Sequence, residues 1–480
     1  MTTTKDVMAA GGVGFGTSGA RGLVADMTDA VCFAYALAFL HAIEAKPGSR
    51  VALGMDLRPS SPRIAGACAA AVRHAGLTPD FCGAIPTPAL AFYAQEQGIP
   101  AVMVTGSHIP FDRNGIKFYR AEGEITKADE AAINGAALPM PDAVKAEVLP
   151  TANPAAARLY ADRYLAFFPD QPLKGLRLGF YQHSSLARDL LTDIAQGLGA
   201  QVIPLGRTDE FVPIDTEAVS EADAAMARRW AEEQRFDAIL STDGDADRPL
   251  LGDEQGHWLR GDIVGILCAQ YLGAGAVATP VSSNTALEKC SSFAKVARTR
   301  IGSPYVIAAM EALMAEGQTG GVGGVVGYEA NGGFLVGSRL EKAGRALAPL
   351  PTRDAVLPIL ALLAMARERG VPLSALAKDL PPRFTASDRI KDFATEKSRQ
   401  LIQRLSTSPE AIQQLLGDLC GEPASLDQTD GLRITFANGE IVHLRPSGNA
   451  PELRCYAEAD SQDRAAVLAQ ACLERVRTAP

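Results

Sequence analysis

The chain has 480 residues, of which 47% are hydrophobic and 21% are charged. A single hydrophobic core seldom grows to this length, so the sequence predicts a protein of several domains. The formal net charge of -9 argues against a nucleic-acid partner, because phosphate backbones are bound mainly by clustered Lys and Arg side chains. Any phosphate that this protein binds must therefore be bound by a local cluster of residues.

The cysteines and the apolar stretch at residues 31–43 indicate a cytoplasmic protein without a membrane partner. Eight cysteines are scattered from Cys32 to Cys472 with no C-x-x-C pair, and no charged and then apolar signal peptide precedes them. The stretch at 31–43 is shorter than the roughly 20 residues that a membrane span requires. We therefore expect reduced thiols, and a core helix at residues 31–43.

Apolar runs alternate with helical patterns over the first 150 residues, which is typical of an α/β domain. Strands are predicted over Val51–Met55 and Ala101–Thr105, with a helix over Pro62–His74 between them. The stretch at 138–156 is rich in Pro and Ala and predicts a linker. We therefore predict a first α/β domain over residues 1–150.

The same alternation recurs twice after this linker. A second α/β domain is predicted over residues 151–256, with strands at 176–181 and 238–241 and a helix near 186–197. A third is predicted over residues 257–372, with helices at 262–272 and 355–367, a strand at 277–280 and a glycine-rich loop at 320–337. The similar size of the three units hints at a distant internal repeat.

The last hundred residues have a different pattern. The predicted elements are helices at 396–405 and 463–476 and strands at 432–436, 441–444 and 453–457. Asn438 and Gly439 join the first two strands and are a strong hairpin signal. The sequence therefore predicts a smaller C-terminal α+β domain over residues 373–480, after three successive α/β domains with mixed sheets.

The segment S-T-D-G-D-A-D-R at residues 241–248 follows an apolar strand and is a candidate metal site. Asp243, Asp245 and Asp247 supply three hard oxygen donors, and Mg²⁺ suits a site that leaves positions for water and a phosphate oxygen. A calcium-binding EF-hand loop is the competing interpretation, since Glu254 would stand at the twelfth position of that loop. Arg248 argues against it, because it occupies the sixth position, where the EF-hand loop needs Gly. The remaining alternative is an acidic surface turn.

Ser107 lies just past the predicted strand at 101–105, between Gly106 and His108. Open α/β sheets bind ligands where a strand ends in a polar loop. A serine in such a loop can accept a phosphoryl group if a cation neutralises the phosphate oxygens. Read alone, the Ser-His pair is more typical of a structural turn.

Two glycine-containing segments are candidate phosphate sites. Residues 14–22, G-F-G-T-S-G-A-R-G, combine exposed backbone N–H groups with Arg21, but they lack the ending of a Walker A loop. Residues 445–451, R-P-S-G-N-A-P, offer a guanidinium, a hydroxyl and an amide directly after a strand. The alternatives are a flexible N-terminal loop for the first segment and an ordinary turn for the second.

The segment G-Y-E-A-N-G-G at residues 327–333 is a candidate sugar-binding loop. Glu329 and Asn331 place an acceptor and an amide two residues apart, and vicinal hydroxyls both donate and accept hydrogen bonds. The alternative is a glycine-rich connection between elements.

Taken together and in their order along the chain, the five segments resemble the α-D-phosphohexomutase superfamily, most closely its bacterial phosphomannomutase/phosphoglucomutase group. The resemblance spans nearly the whole chain. It rests on a Gly-rich Arg loop, T-x-S-H, D-G-D-x-D-R, E-x-N-G and a terminal R-P-S-G. It implies four domains around a central cleft, with one or two of these motifs in each predicted domain.

The resemblance also implies a role for each matching residue. Ser107 resembles the phosphoserine, which through its phosphate joins Asp243, Asp245 and Asp247 as a ligand of Mg²⁺. Glu329 and Asn331 resemble the pair that holds sugar hydroxyls. The residues resembling the clamp on the distal phosphate are Arg445, Ser447, Gly448 and Asn449. The residues matching positions beside the transferring phosphoryl group are Arg21, His108, Lys117 and Arg248, with Lys117 preferred as the acid/base.

Three motifs depart from the family pattern. Gly106 and Ile109 stand in a loop that is commonly T-A-S-H-N-P, so the hydrogen bonds of that Asn are lost. Asn331 and Gly333 replace the Ser and His of E-x-S-G-H. Ala450 stands where S-G-T-E-P carries a carboxylate. None of these departures removes the serine, the three aspartates or the phosphate clamp.

The activity that the resemblance implies is transfer of a phosphoryl group between O1 and O6 of a hexose, with a hexose 1,6-bisphosphate as intermediate and activator. Mannose 6-phosphate and mannose 1-phosphate are the expected pair, and a phosphoglucomutase or dual-specificity mutase is the alternative. Two other classes stay open: a hydrolase of phosphate esters and a non-catalytic phosphosugar-binding protein. The expected partner is a phosphosugar, and the expected assembly is a monomer or homodimer.

Overall fold

The computed structural model describes residues 2–16, 19–317, 323–447 and 451–478. In these ranges the chain forms four mixed or antiparallel sheets and a two-stranded ribbon, with helices packed against the sheets. The predicted multi-domain α/β fold is confirmed. None of the helices in these ranges combines the length and the apolar character needed to cross a membrane.

The first sheet is mixed and carries helices on both faces. Its strands are β1 (Gly14–Phe15), β2 (Ala20–Leu23), β3 (Arg50–Met55), β4 (Thr78–Ala84), β5 (Ala101–Val104), β6 (Arg113–Arg120) and β7 (Gly123–Glu124). Its helices are α1 (Thr4–Ala10), α2 (Asp29–Ala42), α3 (Ser61–His74), α4 (Thr87–Gln97) and α5 (Lys127–Gly135). The strand order is β1-β2-β6-β5-β3-β4, with β7 on β6, and β3 is parallel to both β4 and β5. The loops that follow β3 and β5 therefore meet at one edge.

The second sheet has the order β11-β10-β8-β9. Its strands are β8 (Arg177–Tyr181), β9 (Gln201–Leu205), β10 (Ala238–Thr242) and β11 (Pro249–Gly252), and its helices are α6 (Ala155–Phe167), α7 (Leu190–Gly197) and α8 (Glu221–Gln234). Strands β10 and β11 are antiparallel neighbours, so the aspartate segment is the turn between them.

The third sheet has the order β13-β12-β14-β15-β18, and β16 pairs with β17 in the separate ribbon. The strands are β12 (Ala276–Pro280), β13 (Lys295–Thr299), β14 (Val325–Tyr328), β15 (Phe334–Val336), β16 (Leu340–Lys342), β17 (Arg345–Leu347) and β18 (Leu350–Asp354). The helices are α9 (Gly261–Tyr271), α10 (Ala286–Lys289), α11 (Ser303–Gly317) and α12 (Val356–Arg369), followed by a 3₁₀ helix at Leu373–Asp379.

The last sheet is antiparallel, in the order β19-β23-β22-β21-β20. Its strands are β19 (Phe384–Ile390), β20 (Pro423–Asp427), β21 (Leu432–Phe436), β22 (Ile441–Pro446) and β23 (Leu453–Ala459), and its helices are α13 (Thr395–Thr407), α14 (Pro409–Cys420) and α15 (Gln462–Thr478). The predicted hairpin through Asn438 and Gly439 is confirmed, and Gly439 has the positive φ of 82° that such a turn favours.

Buried apolar side chains form separate cores. One continuous cluster extends from α4 of the first unit through α6 and α9 to α12, and a second fills the other face of the first sheet. The C-terminal sheet and its helices enclose a core of their own. The first three units are therefore joined by apolar packing that also includes Leu373, Leu376 and Leu380, whereas the C-terminal sheet and its helices pack in the separate core.

The prediction for one glycine-rich segment is wrong in part, and a second such segment also contains strands. Residues 320–337 were predicted as a loop, yet β14 and β15 lie within them, while residues 318–322 lie outside the described ranges. A Cβ at Gly327 would lie 2.5 Å from Val306 Cγ1, so a glycine in β14 lets α11 pack closely. The N-terminal segment 14–22 contains the paired strands β1 and β2, and Thr17 and Ser18 lie outside the described ranges.

The reduced state expected of the cysteine thiols remains a prediction. All eight lie in the described ranges and are free. Cys290 is half-buried and the others are buried.

Candidate functional site

Ser107 lies in the loop between β5 and β6 with its side chain fully buried. Its φ of 53° is in the left-handed region, which an L-residue other than Gly, Asn or Asp seldom adopts. Local hydrogen bonds hold this conformation, because the Ser107 N–H donates to Thr105 Oγ1 at 2.8 Å. Such a strained residue, held by its surroundings, is a feature that clusters at functional sites.

Arg58 holds the Ser107 loop through hydrogen bonds to its backbone carbonyl oxygens. Its Nη2 donates to the carbonyl oxygens of Ser107 at 2.9 Å and Ile109 at 2.6 Å, and its Nε donates to Asp56 Oδ2 at 3.1 Å. A Cβ at position 106 would lie 2.6 Å from the guanidinium carbon, so Gly106 leaves the space that Arg58 occupies. This contact gives a physical reason for one departure from the family loop.

The three aspartates lie together in the turn between β10 and β11, and all are buried. Asp243 Oδ1 accepts hydrogen bonds from the backbone N–H groups of Asp247 at 3.1 Å and Arg248 at 3.2 Å, which closes the turn. One carboxylate oxygen from each aspartate lies within 4.8 Å of the others. Burial raises the pKa of Asp243, and the charges of Asp245 and Asp247 raise it further.

The serine and aspartate loops are in direct contact. Ser107 Oγ donates to Asp243 Oδ2 at 2.7 Å and lies 3.2 Å from His108 Nδ1. A Cβ at Gly244 would lie 3.1 Å from the Ser107 carbonyl oxygen, so the glycine permits this close approach. The structure therefore brings together the two strongest motifs of the sequence.

The donor set of the aspartate loop fits a divalent cation. Asp245 Oδ1 and Asp247 Oδ1 are buried, and neither has a hydrogen-bond partner among the described residues, although Asp247 Oδ1 lies 3.5 Å from Arg248 Nε in an ion pair. An unsatisfied buried carboxylate oxygen is costly. Asp243, Asp245 and Asp247 could together hold a hard cation, which would compensate the buried negative charge of the turn.

Lys117 on β6 lies beside the same cluster. Its buried Nζ donates to Asp245 Oδ2 at 2.6 Å and Asp247 Oδ2 at 2.8 Å. Burial lowers the pKa of Lys117, but these two carboxylates outweigh it and raise the pKa above its ordinary value. In this arrangement Lys117 is charged and balances part of the negative charge of the turn.

Two arginines lie near His108, the neighbour of Ser107: the charges of Arg21 and Arg248 both lower the pKa of this histidine. Arg21 Nε and Arg248 Nε are buried without a hydrogen-bond partner in the described ranges. Burial and the charges of Arg248 and Arg353 lower the pKa of Arg21 to about 10, which still leaves it charged at neutral pH. Burial and the positive charges of Arg248 and Arg21 hold the pKa of His108 well below its ordinary value, so its imidazole is neutral.

Glu329 and Asn331 lie in the tight turn between β14 and β15. The Gly332 N–H donates to the Glu329 carbonyl oxygen at 2.9 Å, and Asn331 Oδ1 accepts from the Gly333 N–H at 3.0 Å. Glu329 Oε2 accepts from Arg353 Nη1 at 2.9 Å, and Arg353 also binds Asp247. The sugar loop is thereby linked to the aspartate loop.

The C-terminal candidates form a separate group. Arg445 Nε donates to Asp430 Oδ2 at 2.9 Å, and that carboxylate also accepts from the Ile301 N–H at 2.9 Å. Ser447 extends the same strand end, where its N–H donates to the Glu452 carbonyl oxygen at 2.8 Å. Gly448 and Asn449 lie outside the described residues, as does Ala450.

Family models match most of the chain. They are phosphoglucomutase/phosphomannomutase alpha/beta/alpha domain I over residues 12–138, alpha/beta/alpha domain III over 260–384 and the C-terminal domain over 396–475. The chain belongs to the phosphoglucomutase/phosphomannomutase family. It is therefore a phosphohexomutase, an enzyme of the isomerase class.

Relatives of this phosphohexomutase cover nearly its full length. It is 50% identical to the phosphomannomutase of Salmonella muenchen, with 99% of this chain and 98% of the relative covered. It is 48% identical to that of Sinorhizobium fredii, with 94% and 96% covered. The crystal structure of a putative phosphomannomutase from Thermus thermophilus has the same fold, with a TM-score of 0.75 at 22% identity, 97% of this chain and 98% of that chain covered.

Sequence reasoning missed three arginines near the site of this phosphohexomutase. Arg58 supports the serine loop, Arg353 joins two loops, and Arg454 is close enough to His108 for its charge to lower the histidine pKa. No local pattern marks a long side chain that reaches a site from a distant strand. The usable signal for Arg58 was its position directly after the apolar strand β3, at the same sheet edge as Ser107.

Proposed function

We propose that this phosphohexomutase is a phosphomannomutase, which interconverts mannose 6-phosphate and mannose 1-phosphate through Ser107. The observation that carries the proposal is the 2.7 Å contact between Ser107 Oγ and Asp243 Oδ2, inside a buried cluster of three carboxylates. A serine hydroxyl next to a cation site and three cationic or polar groups can carry a phosphoryl group. The names of the two relatives at 48% and 50% identity support mannose as the sugar.

Asp243, Asp245 and Asp247 are the proposed ligands of Mg²⁺, with an oxygen of the phosphate on Ser107 as a further ligand. Mg²⁺ in this place would draw negative charge from the phosphoryl oxygens and so lower the barrier to transfer. The two buried carboxylate oxygens without hydrogen-bond partners favour this assignment. Mg²⁺ is preferred to Ca²⁺ because the turn offers few ligands and leaves positions for water and phosphate.

In the first transfer, the bond between phosphorus and Ser107 Oγ breaks and a bond to the free sugar hydroxyl forms. Ser107 Oγ takes up a proton as this bond breaks, and the sugar hydroxyl loses one. Lys117 remains our predicted acid/base: because it is charged, it would give its proton to Ser107 Oγ and then take up the hydroxyl proton. The product is a hexose 1,6-bisphosphate, which turns over and returns its other phosphoryl group to Ser107 Oγ as the serine proton leaves. Arg21 and Arg248 would spread the charge of the phosphoryl oxygens in both transfers.

The remaining loops would orient the sugar. Glu329 and Asn331 are the proposed partners of the sugar hydroxyls, and Arg445, Ser447, Gly448 and Asn449 are the proposed clamp on the phosphate that is not transferred. The division into four domains, the cytoplasmic location and the monomeric or homodimeric state also remain predictions. A sedimentation experiment checks the last of these.

The test is a coupled assay of the purified protein with mannose 1-phosphate or glucose 1-phosphate, Mg²⁺ and a hexose 1,6-bisphosphate primer. We expect kcat/KM to be higher for mannose 1-phosphate and Ser107→Ala to lower kcat by roughly 10⁴-fold or more, the scale of losing a covalent nucleophile. Ser398→Ala is the matched control, since Ser398 is a buried serine of α13 whose Oγ donates to the Ala394 carbonyl oxygen at 3.4 Å, in the C-terminal unit and not in the serine loop.

Each other outcome of this assay points to a different activity, mechanism or substrate. Release of inorganic phosphate without isomerised sugar indicates a hydrolase. Tight phosphosugar binding without turnover indicates a non-catalytic binding protein. Full activity of Ser107→Ala excludes a phosphoserine mechanism, and preference for glucose 1-phosphate changes the sugar but not the class.

A further inference from the structure

Arg353 is the penultimate residue of β18, and its guanidinium lies between two functional loops. Its Nε and Nη2 donate to Asp247 Oδ2 at 3.1 and 2.8 Å, and its Nη1 donates to Glu329 Oε2 at 2.9 Å. The side chain is only 4% exposed. One planar group thus fixes a carboxylate of the proposed metal loop and a carboxylate of the proposed sugar loop.

Gly333 provides the space for this arginine. A Cβ at position 333 would lie 2.6 Å from Arg353 Cδ and 2.9 Å from its Cγ. Real Cβ atoms do not approach other atoms so closely, so a side chain at 333 and Arg353 exclude each other in this conformation. The family motif E-x-S-G-H has a histidine at this place, and here a cationic group enters the sugar loop from β18 instead.

The neighbouring residue Asp354 holds the end of β18 in place. Its Oδ1 accepts from Tyr160 Oη at 2.6 Å and from the Val356 N–H at 2.8 Å, where α12 begins, and Tyr164 Oη donates to its Oδ2. The two tyrosines and Val356 belong to the continuous core of the first three units. Arg353 is therefore placed by a rigid support rather than by a surface loop.

The contacts of Arg353 with Asp247 and Glu329 form a bridge between the proposed metal and sugar sites. The guanidinium divides its hydrogen bonds between Asp247 and Glu329, and a cation at the aspartate turn takes part of the negative charge of Asp247. The guanidinium then interacts more strongly with Glu329 and fixes its orientation. A change at the metal site thus reaches the sugar site through one side chain, which is a coupling between two ligands.

We propose that Arg353 is a positioning residue that couples metal binding to sugar binding by bridging Asp247 and Glu329. This inference rests on the proposed function, because Glu329 is taken as a partner of the sugar. It assigns to this chain a residue that the family motifs do not contain, and it explains why Gly333 takes the place of a histidine.

The test measures the affinity of unphosphorylated protein for mannose 1-phosphate by calorimetry, without bisphosphate primer, so that no turnover occurs. For the wild-type protein, we expect the dissociation constant of mannose 1-phosphate to be about fivefold or more lower with Mg²⁺ than with EDTA. Fivefold is the lower end of a typical coupling between two ligands. Arg353→Lys keeps the charge but cannot form the forked bridge, so its ratio of the two dissociation constants should fall to about 1.

Steady-state kinetics supply the second measurement. Arg353→Lys and Gly333→Ala should each raise KM for mannose 1-phosphate about tenfold, the scale of losing a supporting partner, while kcat changes less. Gly333→Ala is informative because it keeps every charge and only displaces the guanidinium. The control is Arg369→Lys, an exposed arginine of α12 whose ion pair with Asp379 spans 3.4 Å.

The possible outcomes separate the two proposals. A wild-type ratio of 1, or an Arg353→Lys ratio equal to the wild-type one, overturns the coupling. Lower melting temperatures with unchanged KM in both variants indicate a purely structural arginine and overturn it as well. A wild-type protein that isomerises no phosphohexose refutes the proposed function, whereas the calorimetric ratio still tests the bridge.

Discussion

The serine and aspartate loops are built differently from the C-terminal phosphate clamp. In the first region, buried side chains of three units bond one another directly, as in the contacts of Ser107 with Asp243, Lys117 with Asp245, and Arg353 with Asp247. These units share one apolar core. The C-terminal unit has its own core and meets the third unit through polar contacts, such as Arg300 Nε to the Thr429 carbonyl oxygen at 3.1 Å.

The tightly packed serine and aspartate loops suit phosphoryl transfer, whereas the polar interface of the C-terminal unit suits binding and release of a phosphate. Transfer of a phosphoryl group needs reacting atoms held in fixed positions, which tight packing supplies. A clamp that must accept either phosphate of a bisphosphate needs to release its ligand. Small polar interfaces between units separate more easily than a shared apolar core. We therefore expect substitutions in the serine and aspartate loops to lower kcat. Substitutions at Arg353, which links the aspartate loop to the sugar loop, and at the C-terminal interface should mainly change KM.

Among substitutions that leave Ser107 in place, the largest effect is expected for Asp243→Asn. The change removes one negative charge from the cation site and the carboxylate that accepts from Ser107, so kcat should fall by more than the roughly 100-fold typical of an outer partner of a metal. Kinetics at saturating Mg²⁺ and titration with Mn²⁺ measure the loss. Asp253→Asn is the control, because Asp253 is buried in the next turn and its Oδ1 accepts from the backbone N–H groups of Gln255 and His257 at 2.9 Å. Equal losses in both variants contradict a special role of Asp243.

Arg58→Met should have the next largest effect. It removes the donors to the carbonyl oxygens of the Ser107 loop and leaves Asp56 as a buried carboxylate without its ion pair. Loss of one partner of a buried pair lowers the free energy of unfolding by about 3–5 kcal/mol. Urea denaturation measures this change, and kcat should fall as well.

Arg50→Met is the matched control for Arg58, because Arg50 pairs with Asp80 but its side chain is 43% exposed. Its effect should be about 1 kcal/mol or less, as for surface ion pairs. If Arg58→Met unfolds no more easily than Arg50→Met, the loop does not depend on Arg58.

The smallest effect is expected for Asp430→Ala. Asp430 orients Arg445 and accepts from the Ile301 N–H, so its loss should raise KM roughly tenfold, the scale of one hydrogen bond to a charged group. We expect kcat to stay within about twofold, since the first region is untouched. A large fall in kcat with unchanged KM would contradict the separation between the two regions.

The strands and helices with clear apolar patterns could be predicted from the sequence. The predicted strand Val51–Met55 is observed at Arg50–Met55, and the predicted helix Pro62–His74 at Ser61–His74. The helix α14 at Pro409–Cys420 had no prediction, although Ser408 caps it and Pro409 begins it. The strands β14 and β15 were missed because their glycines resemble a loop, whereas Gly327 is required by the close packing of Val306.

The site was predictable where its residues follow strands and lie close together in sequence. Ser107 and the aspartates met this condition, and the structure places them in contact. Arg58 and Arg353 did not, because a long side chain brings its charge to a site far from its own backbone. Glycines at 106 and 333 were noted only as departures, and their meaning depends on the arginines that fill the vacated space.

The half-buried Cys290 gives this enzyme a natural attachment point for a reporter group. It follows α10 directly, five residues after Thr285, whose N–H donates to Glu458 Oε2 of the C-terminal unit at 3.0 Å. The other cysteines are buried, and burial raises the pKa of Cys32 to about 12, so thiolate-selective reagents should modify Cys290 first. A fluorophore at this position would report movement of the C-terminal unit in solution without any engineered residue.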